Sequence, residues 1–192
     1  MTCKHQGENA FSLIELMIIV AIIAIIASVT IPRLMAARIA SNEVVAINAL
    51  RSIMEAERQF QSSVAVDTDG DGNGEYGYLA EMAGTVPLRI SVQGKPGAGS
   101  QDANYLKAPI LSKTLGTLNE YGQMVYGGYL FQVFLPGETI DGQGTAIPED
   151  GTTGGKVSGP FPDPNESEKF WCAYAWPVSA GPSGCHVFFI NH

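Results

Sequence analysis

From Phe11 to Ile31 the chain reads FSLIELMIIVAIIAIIASVTI, 21 residues of which 17 are hydrophobic and one, Glu15, is charged. A helix rising ~1.5 Å per residue would cover roughly 30 Å over that run, the thickness of a bilayer core. Apolar on every side, it needs lipid or other apolar helices around it. The rest of the chain is too small to enclose it as a buried helix. Beyond Pro32 the pattern changes. RLMAARIASNEVVAINALRSIMEAERQFQSS has no glycine and places Ala46, Leu50, Ile53 and Phe60 at helical spacing, with Ile47 and Met54 beside them. Glu43, Arg51, Glu55 and Arg58 fall largely on another face, so this second stretch is an amphipathic helix whose stripe packs on the glycine-rich remainder of the chain. Its heptads are too irregular for a free-standing coiled coil. Pro32 removes an amide donor and predicts a kink or local unwinding between the two stretches.

After Tyr76, short β-like runs alternate with turn signals. Met124–Leu135 reads as the best strand, with Phe131, Val133 and Leu135 on one face. Residues 169–178 and 186–191 read as a C-terminal hairpin around a turn at 180–184. Residues 137–164 read as a long exposed loop crowded with glycine and proline.

Composition sharpens this division. None of the 22 glycines lies between Phe11 and Asp69, and Pro32 is the only proline before Pro87. The chain is therefore read as residues 1–10, a short polar leader; 11–31, a membrane-spanning or filament-core helix; 32–63, an amphipathic continuation; and 64–192, a β-rich head. The fold class is α+β, a long N-terminal helix packed on a small antiparallel sheet with long Gly/Pro-rich loops. With 11 Lys and Arg against 19 Asp and Glu, the net charge of -8 excludes nucleic acid as a main partner.

A removed signal peptide would need a basic leader and small residues before its cut. Here Lys4 and Glu8 cancel, and no A-x-A triplet lies between Ala21 and Ser41. Glu15 is the odd residue. A carboxylate inside a spanning segment costs about 2.5 kcal/mol or more on insertion scales and usually has a partner. The run holds no cation, so that partner comes from elsewhere.

The string AFSLIELMIIVAIIAIIASVTIP resembles the N-terminal region of type IV prepilins and type II secretion pseudopilins. Phe11, Glu15 and Pro32 match that family's order and spacing, although Ala10 stands where glycine usually precedes the cut. The resemblance implies that a prepilin peptidase cleaves between Ala10 and Phe11 and methylates the Phe11 amine. It further implies that Glu15 attracts the freed amine of an adjacent subunit during assembly. The implied function is a structural subunit of a type IV pilus-like filament. That subunit is inserted in the bacterial inner membrane with a periplasmic head, then packed helix to helix into a periplasmic or cell-surface filament. The alternative is a pseudopilin driving protein export, and a remote one is a membrane-anchored enzyme or binding module. Implied partners are copies of the chain, other pilins or pseudopilins, the peptidase, the platform and ATPase machinery, and membrane lipid.

Three further features stay open on sequence. Asp67, Asp69, Asp71, Asn73 and Glu75 alternate with small residues, an arrangement suited to a calcium ion or to a solvated turn. An EF-hand is excluded, because Tyr78 occupies the twelfth position. Cys3 leaves with the leader, and Cys172 with Cys185 predicts a disulfide across the hairpin, two free thiols being the alternative. Many type IV pilins carry a C-terminal disulfide, as the resemblance adds. Trp171, Tyr174, Trp176, Phe188 and Phe189 serve either the sheet's core or an outward stacking surface. For catalysis the supply is poor: His186 is the one internal histidine of the mature chain, and no nucleophile elbow, zinc motif or phosphate loop occurs.

Overall fold

A computed structural model describes residues 11–100, 104–139 and 143–192. The leader, with Ala10 and the expected cut, lies outside the described residues. The chain divides into two compact units, up to Arg38 and from Ile39 onward, and one helix, α1 (Leu13–Ser62), contains the boundary.

In the first unit, residues 13–38 are helical and none is buried. The best 18-residue window of α1 has a mean hydropathy of 2.8, and none of it is covered by protein. Side chains such as Leu13, Ile18, Ile22 and Ile25 stand exposed, the condition that lipid or a neighbouring helix relieves. Helix assignment runs through Pro32 without a break, so the local unwinding expected there does not occur. Arg33, Leu34, Met35, Ala36 and Ala37 after it are good helix formers, and the helix continues despite the missing N–H and the β-branched Val29, Thr30 and Ile31 before it.

In the second unit, α1 buries Ala46, Ala49, Leu50, Ile53, Ala56, Glu57 and Phe60. The predicted stripe is the buried one, and Ile47 and Met54 flank it half-buried. The stripe joins a core built with Tyr76, Tyr78, Leu79, Met82, Phe131, Val133 and Trp171. A single turn, α2 (Leu79–Met82), comes after the acidic loop, then a hairpin of β1 (Ile90–Val92) and β2 (Lys95–Gly97). The main sheet holds β3 (Met124–Tyr126), β4 (Tyr129–Pro136), β5 (Ala146–Pro148), β6 (Cys172–Pro177) and β7 (Phe188–Asn191), with α3 (Pro164–Ser167) before β6. All its pairings are antiparallel, in the order β3-β4-β6-β7, with β5 on β4.

The single strand expected over Met124–Leu135 is two strands. Gly127 and Gly128 take φ of 57° and 81°, the pair of positive values that a two-residue hairpin turn requires. Tyr126 consequently pairs with Tyr129. The face assignment stands: Tyr129, Phe131, Val133 and Leu135 are all buried. The loop at 137–164 supplies β5, because Ile147 opposite Leu135 adds one apolar side chain to the core.

The C-terminal hairpin forms as expected, but the disulfide does not: Cys172 and Cys185 are both free. Register explains it. Cys172 pairs with Asn191 at the open end of the hairpin, Ala175 pairs with Phe188, and Cys185 lies beyond Phe188 on the turn side. Three strand residues already separate Cys172 from Ala175, roughly 10 Å at ~3.3 Å each. A bridge tolerates no more than about 7 Å between Cα atoms.

Candidate functional site

Four groups of side chains hold the chemistry of the chain. The first is at the start of α1. Phe11 is 74% exposed, and the amide of Glu15 bonds the carbonyl of Ser12 at 3.0 Å, opening the first helical turn. A carboxylate there complements the positive end of the helix dipole. Among the described residues no ion pair reaches Glu15. Glu15 lies one helical turn from Phe11.

The second group has almost no signature in the sequence. Glu57, Glu75, Glu81, Glu149 and Arg89 are each at most 3% exposed. Arg89 donates from Nε to Glu81 at 3.1 Å and from Nη1 to Glu75 at 3.2 Å, and its guanidinium lies 5.3 Å from the centre of the Tyr78 ring. Burial opposes its charge, yet the Glu81 and Glu75 carboxylates outweigh burial and hold Arg89 protonated. Glu81 also accepts from the Tyr78 and Arg89 amides. Glu149 accepts three backbone N–H bonds, from Leu79, Ala80 and Gly155. Burial nonetheless pushes Glu149 up to about 8 against those donors. Burial likewise raises Glu57 well above the usual carboxylate range; one of its oxygens accepts from Gly77 N and the other has no partner among the described residues. The cluster thus fastens α1, the loop before α2, the approach to β1 and the end of β5 to one another. At the start of α2 only half of a capping arrangement is present: Glu81 accepts from the Tyr78 amide, while the Tyr78 hydroxyl donates to the Ile147 carbonyl.

The third group is the acidic loop. Carboxylate oxygens of Asp67, Asp69 and Asp71 lie within 4.8 Å of one another, close enough to share one hard cation. The loop is also held by its own bonds, with Asp67 accepting from the amides of Gly70 and Gly72, and Asp71 from Asn73. Glu75 does not join the group. Its carboxylate accepts from the Thr68 amide and hydroxyl and pairs with Arg89. Glu168, from the end of α3, does face this loop: burial raises its carboxyl, and Asp71 and Asp69 add to the effect.

The fourth group ties the C-terminal turn to α1. Glu43 accepts from the Cys185 amide at 3.1 Å and contacts His186 Nδ1 at 2.9 Å, while Asn42 donates to the Ser183 carbonyl at 2.9 Å. The Cys185 amide is the main cause that lowers the Glu43 carboxyl below its ordinary range, with His186 adding to it. His186, the one candidate base, is therefore engaged as a tether. The aromatic cluster divides between two roles: Trp171 is buried, whereas Tyr174 and Phe189 face outward with ring centres 4.8 Å apart.

Residues 6–31 match the model of the prokaryotic N-terminal methylation motif. The chain carries the hallmark segment of type IV pilins and pseudopilins. The match covers Phe11, Glu15 and the whole exposed apolar run, and stops one residue before Pro32. No curated protein and no solved structure matches the chain. The head is thus described by its own geometry alone.

Proposed function

We propose that the chain is a structural subunit of a type IV pilus-like filament. The observation that carries this reading is the methylation motif lying on the apolar first part of α1, where no residue is buried among the described residues. A segment such as this has two favourable environments, the hydrocarbon of a membrane and a bundle of identical helices. Moving from one to the other is assembly. Before it, the segment anchors the subunit in the inner membrane; after cleavage between Ala10 and Phe11, the methylated Phe11 amine of one subunit meets Glu15 of the next. In low dielectric that attraction is strong, and an unpaired carboxylate is penalised, so the pairing selects the register of neighbouring helices. The head needs no catalytic groups for this role. Its buried charges and its histidine are committed to holding it together.

Mass spectrometry of the filament or membrane form tests the processing step, which requires an N-terminal N-methylated Phe11. Substituting Glu15→Leu is expected to leave membrane insertion intact and to abolish filaments; normal filaments would refute the pairing role. Shearing then separates the two kinds of filament. Release of the chain in surface filaments supports a pilus subunit. Retention in the periplasm with loss of protein export on deletion supports a secretion pseudopilin.

A further inference from the structure

A groove runs along the outer side of α1 in the head, between the helix and the segment Ile110–Leu115. Two hollows of about 370 and 480 Å³ form it, and they share Ser52, Ser112 and Leu115. Its helix wall extends from Val45 to Gln59, roughly 21 Å at ~1.5 Å per residue. Arg51 and Glu55 are the charged residues of its lining; beside them on the same two segments stand the exposed Arg58, 3.6 Å from Glu55, and the exposed Lys113, so the rim carries three cations against one anion. Arg51 lines the groove with no ion pair among the described residues. On a chain with a net charge of -8 this strip is an exception in sign.

The opposite exception in density is the tip of the acidic loop. Asp67, Asp69 and Asp71 gather their carboxylates within 4.8 Å. Residues 69–73 at the tip are exposed, and a Cβ added at Gly70 or Gly72 would meet nothing within 4 Å. It lies past the C-terminal end of α1, whereas the groove lies along the helix.

We infer that the groove receives the acidic tip of a second copy of this chain, an inference that rests on the filament reading above. Copies displaced along a common helix direction bring the tip of one to the groove of another. Tip and groove are different patches of one surface, so the contact is head-to-tail and propagates as an open helical array instead of closing into a dimer. The remaining acidic surface repels the tip, so the cationic strip supplies specificity as much as attraction. Exposed ion pairs are individually weak. The contact therefore depends on the apolar helices holding heads at high effective concentration.

Charge reversal in full-length, membrane-assembled protein tests it. Either D69K with D71K, or R51E with K113E, is expected to lower sheared filament yield roughly tenfold or more, and the four changes together to restore it. A second arm does not depend on charge. In a C172S, C185S background, S52C with D71C is expected to give intermolecular disulfide ladders in oxidised filaments. Normal yield from either reversed pair, failure of the combined variant to recover, or absence of ladders from well-formed filaments overturns the proposal. A wild-type chain that forms no filament overturns the filament reading and the docking with it. Wild-type filaments that tolerate reversal overturn the docking alone.

Discussion

Arg89 is the residue on which the head's interior depends most. Among the described residues it is the one cation of five buried charged side chains, and it contacts Glu75, Glu81 and the Tyr76 carbonyl. Removing one partner of a buried ion pair leaves the others unpaired and costs about 3–5 kcal/mol. R89M, of similar length and without charge, is therefore expected to lower the denaturation midpoint sharply, measured by urea titration of the head followed by circular dichroism. Glu149 gives the complementary prediction. Its carboxyl titrates near 4.3 when unfolded and is pushed up to about 8 in the folded head. Between those values the folded state binds the extra proton, so stability falls as pH rises from about 4.3 and levels off above about 8. Thermal melts from pH 5 to 8.5 should show that decline, and E149Q should reduce it, leaving the part of the same sign that comes from buried Glu57. Neither residue is legible in the sequence. Glu57, Glu75, Glu81, Arg89 and Glu149 are scattered over some ninety positions, and only tertiary folding makes them neighbours. In sequence Glu75 groups instead with the acidic residues beside it, because a local pattern cannot report that Arg89 claims its side chain.

Elements with a strong period are legible, and breaks governed by one or two backbone angles are not. The stripe Ala46, Leu50, Ile53, Phe60 identifies the packing face of α1, because burial of four apolar residues at helical spacing has one geometric solution. The β3–β4 turn is concealed inside an apolar run, although Gly127-Gly128 is itself a hairpin signal. Cysteine spacing misleads for a related reason. A separation of 13 positions suits a bridge only if the turn lies midway, and the register puts the turn close to Cys185 and far from Cys172. Both thiols are thus expected to react with a maleimide without prior reduction. Cys185, which is exposed, should be labelled in the folded protein well before half-buried Cys172, whose thiol burial pushes up away from the reactive thiolate. Two unlabelled cysteines that become reactive only after reduction would restore the bridge.

At the scale of the molecule, two kinds of apolar surface serve two stages. The stripe from Ala46 to Phe60 is satisfied within the chain and belongs to folding. The run from Phe11 to Ile31 is exposed throughout and, in the filament reading proposed above, belongs to insertion and assembly. The two are separable because burial begins after the boundary between units: no residue from 11 to 38 is buried, and the first fully buried one is Ala46. A fragment spanning residues 39–192 keeps the entire core, the hairpins β1–β2, β3–β4 and β6–β7, and the Arg89 cluster. It is therefore expected to be soluble without detergent, monomeric by sedimentation, and to melt within about 2 °C of the full chain in detergent, since a change of a few tenths of a kcal/mol shifts a domain of this size by no more than that. On the filament reading it should also fail to enter filaments when co-expressed with the full chain, because it lacks the apolar run to which that reading assigns helix-to-helix packing. A fragment that aggregates or melts much lower would show that the apolar run contributes to folding the head, and the division of labour between the two surfaces would have to be abandoned.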